Sequence, residues 1–134
     1  MTKVYNIIRP ANLKPLPDKY EERVAELCAS YFESDIVFIV RNNHTTPDIR
    51  VAKTGQFWEI KNMKGTSNHA VEENLRRANR QADNVIISLL RSPAKDPMRI
   101  KARIEYILKN TNVRFQNVML ITKTGKVIDI KSRS

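Results

Sequence analysis

Apolar residues recur along the chain in two alternating rhythms, and the switches between them mark the elements. From Tyr20 onward, Val24, Leu27, Cys28 and Tyr31 fall at i+4, i+7, i+8 and i+11, the buried stripe of a helix that reaches about Phe32. Asp18 stands ready to cap it. Residues 35–41 read as a strand, and a polar loop, Asn42-Asn43-His44-Thr45-Thr46-Pro47, follows. Residues 48–53 and 56–62 flank Thr54-Gly55 as a hairpin. Past a Gly65-Thr66-Ser67 break the helical rhythm returns from about His69 to Ala82, with Val71, Leu75, Ala78 and Ala82 inward. Residues 84–90 are almost continuously apolar, the pattern of a strand in a sheet's middle. Asp96-Pro97 supplies an N-cap and a proline at the first helical position for a third helix to about Lys109. Residues 117–122 and 126–130 close the chain as a second hairpin through Thr124-Gly125. Residues 1–17 carry three prolines and little periodicity, so they read as an extended arm ahead of a domain over 18–134. The order α-β-β-β-α-β-α-β-β predicts an α/β (α+β) single domain, a central mixed sheet with flanking helices.

Several polar residues interrupt these apolar rhythms. With a two-residue loop at Thr54-Gly55, partners in the first hairpin sum to 109 and Asp48 faces Lys61 while Arg50 faces Glu59. All four then share one side, and Ile49, Val51, Trp58 and Ile60 line the other. As structure alone, these would be two cross-strand ion pairs of about 0.2–1 kcal/mol each. As chemistry, Pro47-Asp48-x(10)-Glu59-x-Lys61 offers two carboxylates for a divalent cation and a lysine to steady an attacking water or a developing charge. Glu21 falls within the first helix's apolar stripe, whereas Glu22 and Glu26 point outward. A carboxylate on the buried side is costly unless compensated; the alternative is a first-turn acid near the positive helix end. On the second helix Asn74, Arg77 and Gln81 line one flank at i, i+3, i+7. Trp58, opposite Glu59, reads as core.

Charge narrows the partner. The 134 residues carry a formal net charge of +10: residues 1–64 hold ten Lys/Arg against eight Asp/Glu, and residues 65–134 fourteen against six. One basic face attracting a polyanion follows from this, a merely solvated surface being the plainer alternative. Arg76, Arg77 and Arg80, with Asn74 and His44, are the candidates for nucleic-acid contact. A single cysteine, Cys28, excludes an intrachain disulfide, and one Cys with two His falls short of a structural zinc site. The longest apolar run, Ile36-Val37-Phe38-Ile39-Val40, is too short to span a bilayer, and the N-terminus shows no signal-peptide core. The expectation is a soluble chain without a membrane role.

The element order around the acids resembles the core of the PD-(D/E)xK nuclease superfamily. That resemblance implies Asp48 and Glu59 as ligands of a magnesium-type ion (Mg2+) and Lys61 positioning water. It also implies Glu21 completing the acidic cluster and Gln81 supporting it from the second helix. A closer resemblance is to the nuclease toxin domains at the C-termini of contact-dependent inhibition (CdiA-type) proteins. It rests on Thr46-Pro47-Asp48-Ile49, Gly55-x-x-Trp58-Glu59-Ile60-Lys61, Gly65, and Leu75-x-x-Ala78-x-x-Gln81-Ala82-x-Asn84-Val85-Ile86-Ile87, and it covers roughly residues 44–90. Asn62-Met63 stands where that family's Ser-Pro would be expected. The resemblance implies cleavage of tRNA or other RNA in a bacterial cytoplasm, an acidic immunity protein as partner, and in many members no metal. Without a metal, a base and a cation suffice for 2′-hydroxyl attack. His44 and His69 then compete with Glu59 as base, and Lys61 or Arg77 would stabilise the phosphorane. A metal-dependent DNA endonuclease and a non-enzymatic basic nucleic-acid-binding module are the competing functions.

Overall fold

The computed structural model describes residues 4–42, 46–93 and 96–132. In chain order the elements are β1 (Ile7–Ile8), α1 (Lys19–Phe32), β2 (Ile36–Phe38), β3 (Ile49–Val51), β4 (Phe57–Asn62), α2 (Asn68–Asn79), β5 (Asn84–Ser88), α3 (Pro97–Asn110), β6 (Asn117–Ile121) and β7 (Val127–Lys131). The seven strands form one mixed sheet whose spatial order is the chain order. β1–β2, β4–β5 and β5–β6 pair in parallel; β2–β3, β3–β4 and β6–β7 pair antiparallel. The β4–β5 and β5–β6 steps cross over through α2 and α3, as parallel strands require. This is the expected mixed α+β domain with one further element, β1, inside the proline-bearing arm. Leu13 of that arm is buried against the α1 face.

The sheet separates two cores. Val24, Ala25, Cys28 and Ala29 of α1 pack on Ile36, Phe38, Ile49, Val51, Trp58 and Ile60. Val71, Leu75 and Ala78 of α2 and Ile100, Ile104 and Ile107 of α3 cover the other side. β5 serves both, sending Ile86 to the first core and Val85 and Ile87 to the second. The α1 stripe is rotated from the expected one. Small Ala25 and Ala29 let the helix lie close to the sheet, while Tyr31 is exposed and stacks on Phe32. Glu21, three and four residues before Val24 and Ala25, stays on the buried side.

Asp18 caps α1 through a full capping box: its Oδ1 accepts from the Tyr20 and Glu21 amides at 2.9 and 2.8 Å, and Glu21 Oε1 accepts from the Asp18 amide at 3.2 Å. Asp96 and Pro97 open α3 as expected. α2 stops at Asn79, three residues early, because the Gln81 and Ala82 amides both turn back to the Ala78 carbonyl.

The β3–β4 register corrects the expected one. Ile49 pairs with Trp58 and Arg50 with Phe57, so partners sum to 107. The turn has four residues, 52–55, closed by Val51 N–H on the Gln56 carbonyl (2.9 Å) and Gly55 N–H on the Val51 carbonyl (2.8 Å). Gly55 has φ +75°, a left-handed value glycine adopts without strain. The expected Arg50–Glu59 and Asp48–Lys61 ion pairs therefore do not form. Parity survives a shift of two: Arg50, Phe57, Glu59 and Lys61 still share the side opposite Trp58 and Ile60.

Candidate functional site

The site forms where β3 parts from β4. Asp48, just before β3, donates its amide to the Trp58 carbonyl at 3.1 Å. Its side chain then takes over the strand's bonding role, Oδ2 accepting from the Ile60 amide at 2.8 Å. Oδ1 accepts from Arg41 Nη2 at 2.5 Å, so both oxygens of this buried carboxylate are engaged. The same Arg41 nitrogen lies 3.5 Å from Glu21 Oε2. Arg41 thus bridges the acid at the start of α1 and the acid before β3. The alternatives for Glu21 both hold: one oxygen closes the capping box, and the other faces the cluster. Burial raises the Glu21 pKa above the ordinary carboxylate range; its capping bond lowers it, and the nearby Asp48 adds to the rise.

Glu59 is the most perturbed group. It is only 2% exposed, and Oε2 meets Lys61 Nζ at 3.0 Å while Oε1 is buried without a hydrogen-bond partner. Burial first, then repulsion from Asp48, pushes its pKa up to about 8, against the opposing pull of Lys61. Lys61 in turn donates to Gln81 Oε1 at 2.8 Å. Gln81, just beyond α2, therefore fixes the lysine from the second helical layer as Arg41 fixes Asp48 from the first.

Asp48, Glu59, Lys61, Gln81 and Glu21 are thus brought together. Arg41 belongs with them, although the sequence shows it only as the end of a strand and no motif marks it. Phe57 was missed too: it is 45% exposed on the Glu59 side of β4. The alternation that hides Trp58 could have singled it out.

The nucleic-acid candidates divide. Arg76 is tied to Glu72 at 3.1 Å and to Asn112, and Arg77 is paired with Glu73 on its own helix. The Asn74 side chain donates through Nδ2 to the Ala70 carbonyl at 2.8 Å. Arg80 is exposed and makes no ion pair or hydrogen bond through its side chain among the described residues. His69 is 89% exposed and lies beside Glu73 on α2, outside the acid cluster. His44 lies outside the described residues. Cys28 is fully buried, its thiol pKa pushed up to about 12, as befits a core residue.

An open groove of about 510 Å³ runs along the α2 side, lined by Pro47, Gln56, Phe57, Arg80, Gln81 and Asn84 among others. On the α1 side, Leu13, Pro15 and Pro17 of the arm wall in Glu21, Arg41 and Asp48. The donor set at the cluster is all oxygen. Glu59 Oε1, the one unpartnered oxygen, and the remaining lone pairs of the already engaged Asp48 oxygens fit a magnesium-type ion, which commonly takes one or two carboxylates and completes its shell with water and phosphate. Glu21 does not fit as a third ligand while Arg41 stands between it and Asp48. Among the described residues no three His, Cys, Asp or Glu side chains form a metal-holding group.

The whole fold has a counterpart. A chain of the CdiA-CT/CdiI toxin and immunity complex from Burkholderia pseudomallei is similar over 96% of this chain and 99% of its own, with a TM-score of 0.64 and 19% identity. At that identity the likeness is one of fold. No curated protein matches the sequence. No helix among the described residues is long and apolar enough to cross a membrane. Residues 45–127, which hold Asp48, Glu59, Lys61, Gln81 and all the residues that line the groove, match the family described as the contact-dependent growth inhibition CdiA C-terminal domain. The chain belongs to that family of toxin domains.

Proposed function

We propose that this toxin domain is a nuclease that cleaves phosphodiester bonds in RNA, with tRNA as the substrate class. One observation carries the reading: Glu59 is buried beside Asp48, with one oxygen on Lys61 and the other unpartnered, on the strand face that borders an open groove. Burying an acid beside an acid is costly to the fold, and such perturbed groups concentrate where proton transfer is needed. The formal charge of +10 supplies attraction to a polyanion. The choice of tRNA rests on the family resemblance in the sequence motif.

In this reading Lys61, held by Glu59 and Gln81, presents its ammonium to the attacking oxygen or to the charge growing on the phosphate. Glu59, with a pKa of about 8, exists in both protonation states near neutral pH and can accept or return a proton there. Burial sets that property first and the nearby Asp48 adds to it, and Arg41 holds Asp48 in place. Asp48 and Glu59 would hold a magnesium-type ion, which when bound supplies Lewis-acid polarisation of the phosphate. A metal-independent ribonuclease is the second reading. It is favoured by Arg41, whose guanidinium already supplies positive charge between Glu21 and Asp48. RNA as substrate places the action in the bacterial cytoplasm. The basic surface suits an acidic immunity protein as the inhibitory partner.

The test is incubation of purified protein with total RNA and with plasmid DNA, each with and without EDTA. Expected is RNA cleavage, lost in Glu59→Gln. EDTA sensitivity selects the magnesium reading, and resistance the metal-independent one. Cleavage of plasmid with RNA untouched would reassign the chain as a DNA endonuclease. Tight binding with no cleavage of either would leave a nucleic-acid-binding module.

A further inference from the structure

We infer that Phe57 is a stacking platform for one unpaired nucleobase of the substrate, seated in the groove next to the Glu59–Lys61 pair. This rests on the nuclease reading and adds what part of the substrate the groove takes. Along β4, side chains alternate between a buried side, with Trp58 and Ile60, and a groove side, with Phe57, Glu59 and Lys61. Glu59 and Lys61 are engaged with one another, while the Phe57 ring is 45% exposed. Half-exposed and lining the groove, the ring leaves part of its surface open to a ligand there.

The ring's setting is rigid. The Phe57 carbonyl accepts from Asn84 Nδ2 at 2.8 Å, and Asn84 Oδ1 accepts from Asn117 Nδ2 at 2.7 Å. This buried amide chain ties the start of β4 to β5 and β6. Arg50 stands opposite Phe57 in register. The groove's polar wall is of two kinds. The Asn79 and Asn84 amides are consumed by internal bonds, to Arg114 and to Phe57 and Asn117. The side chains of Gln56, Gln116 and Arg80 make no bond among the described residues. A flat ring, two open amides and an open guanidinium are the complement of one nucleotide: a π-face, polar base edges and a phosphate. The groove, about 510 Å³, falls in the range of about 300–1,000 Å³ usual for small-ligand sites. Phe57 precedes Glu59 by one strand repeat of about 7 Å, so a base on the ring brings its own flanking phosphate toward Glu59 and Lys61.

A base stacked on a ring has left its helix, so the site reads unpaired positions of the substrate. The test uses the Glu59→Gln chain, so that substrate survives, and adds Phe57→Ala, Phe57→Leu or Phe57→Tyr. Binding is followed by fluorescence anisotropy to a twelve-nucleotide single-stranded RNA, its DNA counterpart and a blunt RNA duplex. Phe57→Ala and Phe57→Leu should weaken single-strand binding about tenfold or more, Phe57→Tyr should restore it, and duplex binding should stay unchanged. Because Phe57 is half-exposed, these variants are expected to keep the parent's melting temperature. If the parent binds single strands but Phe57→Ala binds them equally well, or if duplex binding falls just as much, the platform is overturned and the nuclease reading stands. If the parent binds none of the three probes, the platform is overturned, and the nuclease reading is judged separately by the RNA-cleavage assay.

Discussion

Replacing Glu59 by glutamine should stabilise the protein above neutral pH while removing its activity. The folded state holds this carboxyl at a pKa of about 8 against an ordinary 4.5, by burial and by the neighbouring Asp48. A carboxyl raised in this way binds its proton more tightly when folded than when unfolded. Its contribution to stability is fully present below about pH 4.5 and is lost as pH rises through about 8. At about 1.4 kcal/mol per pH unit, the loss approaches about 5 kcal/mol across the window as a ceiling, and about 3 kcal/mol at pH 7. Glutamine has the same shape and no charge to ionise. The pull of Lys61, at 3.0 Å, is already contained in that pKa, and relaxation of the surroundings around the buried charge reduces the ceiling. The net gain at pH 8 should be about 1–3 kcal/mol, which raises the melting temperature by about 3–10 °C for a domain of this size. Thermal unfolding of parent and variant by circular dichroism from pH 5 to pH 8.5 reads this directly. The difference should open with pH and close toward pH 5. A glutamine variant less stable than the parent by a constant amount at every pH would refute the reasoning. Glu59 would then be an ordinary ionised partner of Lys61.

Lys61→Met should remove the one cation in contact with Glu59 among the described residues, lower cleavage by about a hundredfold or more, and push the Glu59 pKa higher still. The residual pH–rate profile should therefore shift to higher pH, and an unshifted profile would separate Lys61 from the proton-transfer step. Arg80→Gln alone should reduce the log–log salt slope of RNA binding by about 0.7–0.9, as for one lost phosphate contact. Arg76→Gln with Arg77→Gln should change it less, because Glu72 and Glu73 already neutralise them; the reverse ranking would move the phosphate track off Arg80.

Most of the fold was legible because its signals are local. Capping residues at Asp18 and Asp96, the helical stripe of α2 and the continuous apolar run of β5 each determine an element without reference to the rest. β1 was not legible: two residues paired with β2 carry no periodicity, and the prolines around them argue for a loop. The site was legible in membership but not in wiring. Strand parity placed Glu59 and Lys61 on one side, helical angle placed Glu21 inward, and the family resemblance implied Gln81 as their support. The partners, however, depend on loop length and on long-range neighbours. A four-residue turn in place of two moved Phe57 opposite Arg50, and Arg41, seven residues before Asp48, arrives through a loop that no pattern describes.

That shift bears on the choice between a structural and a chemical role for the acids. In a register of 109 each acid would have met a cation across the hairpin, and the face would need no other explanation than about 0.2–1 kcal/mol per pair. In the register of 107 those pairs are gone. Glu59 depends on Lys61 of its own strand, and it lies close enough to Asp48 that Asp48 disfavours its charge. Three cationic or amide groups, Arg41, Lys61 and Gln81, come from three separate segments to contain the acids, yet Glu59 Oε1 still has no partner. Two apolar residues here would be cheaper for the fold than two buried acids and their attendants. An arrangement that costs stability, lies beside a groove and holds one acid near neutral pH supports catalysis as the reason it is kept. The melting experiment on Glu59→Gln therefore tests both halves of that argument. A variant that gains stability and loses cleavage shows the cost and its purpose in one residue.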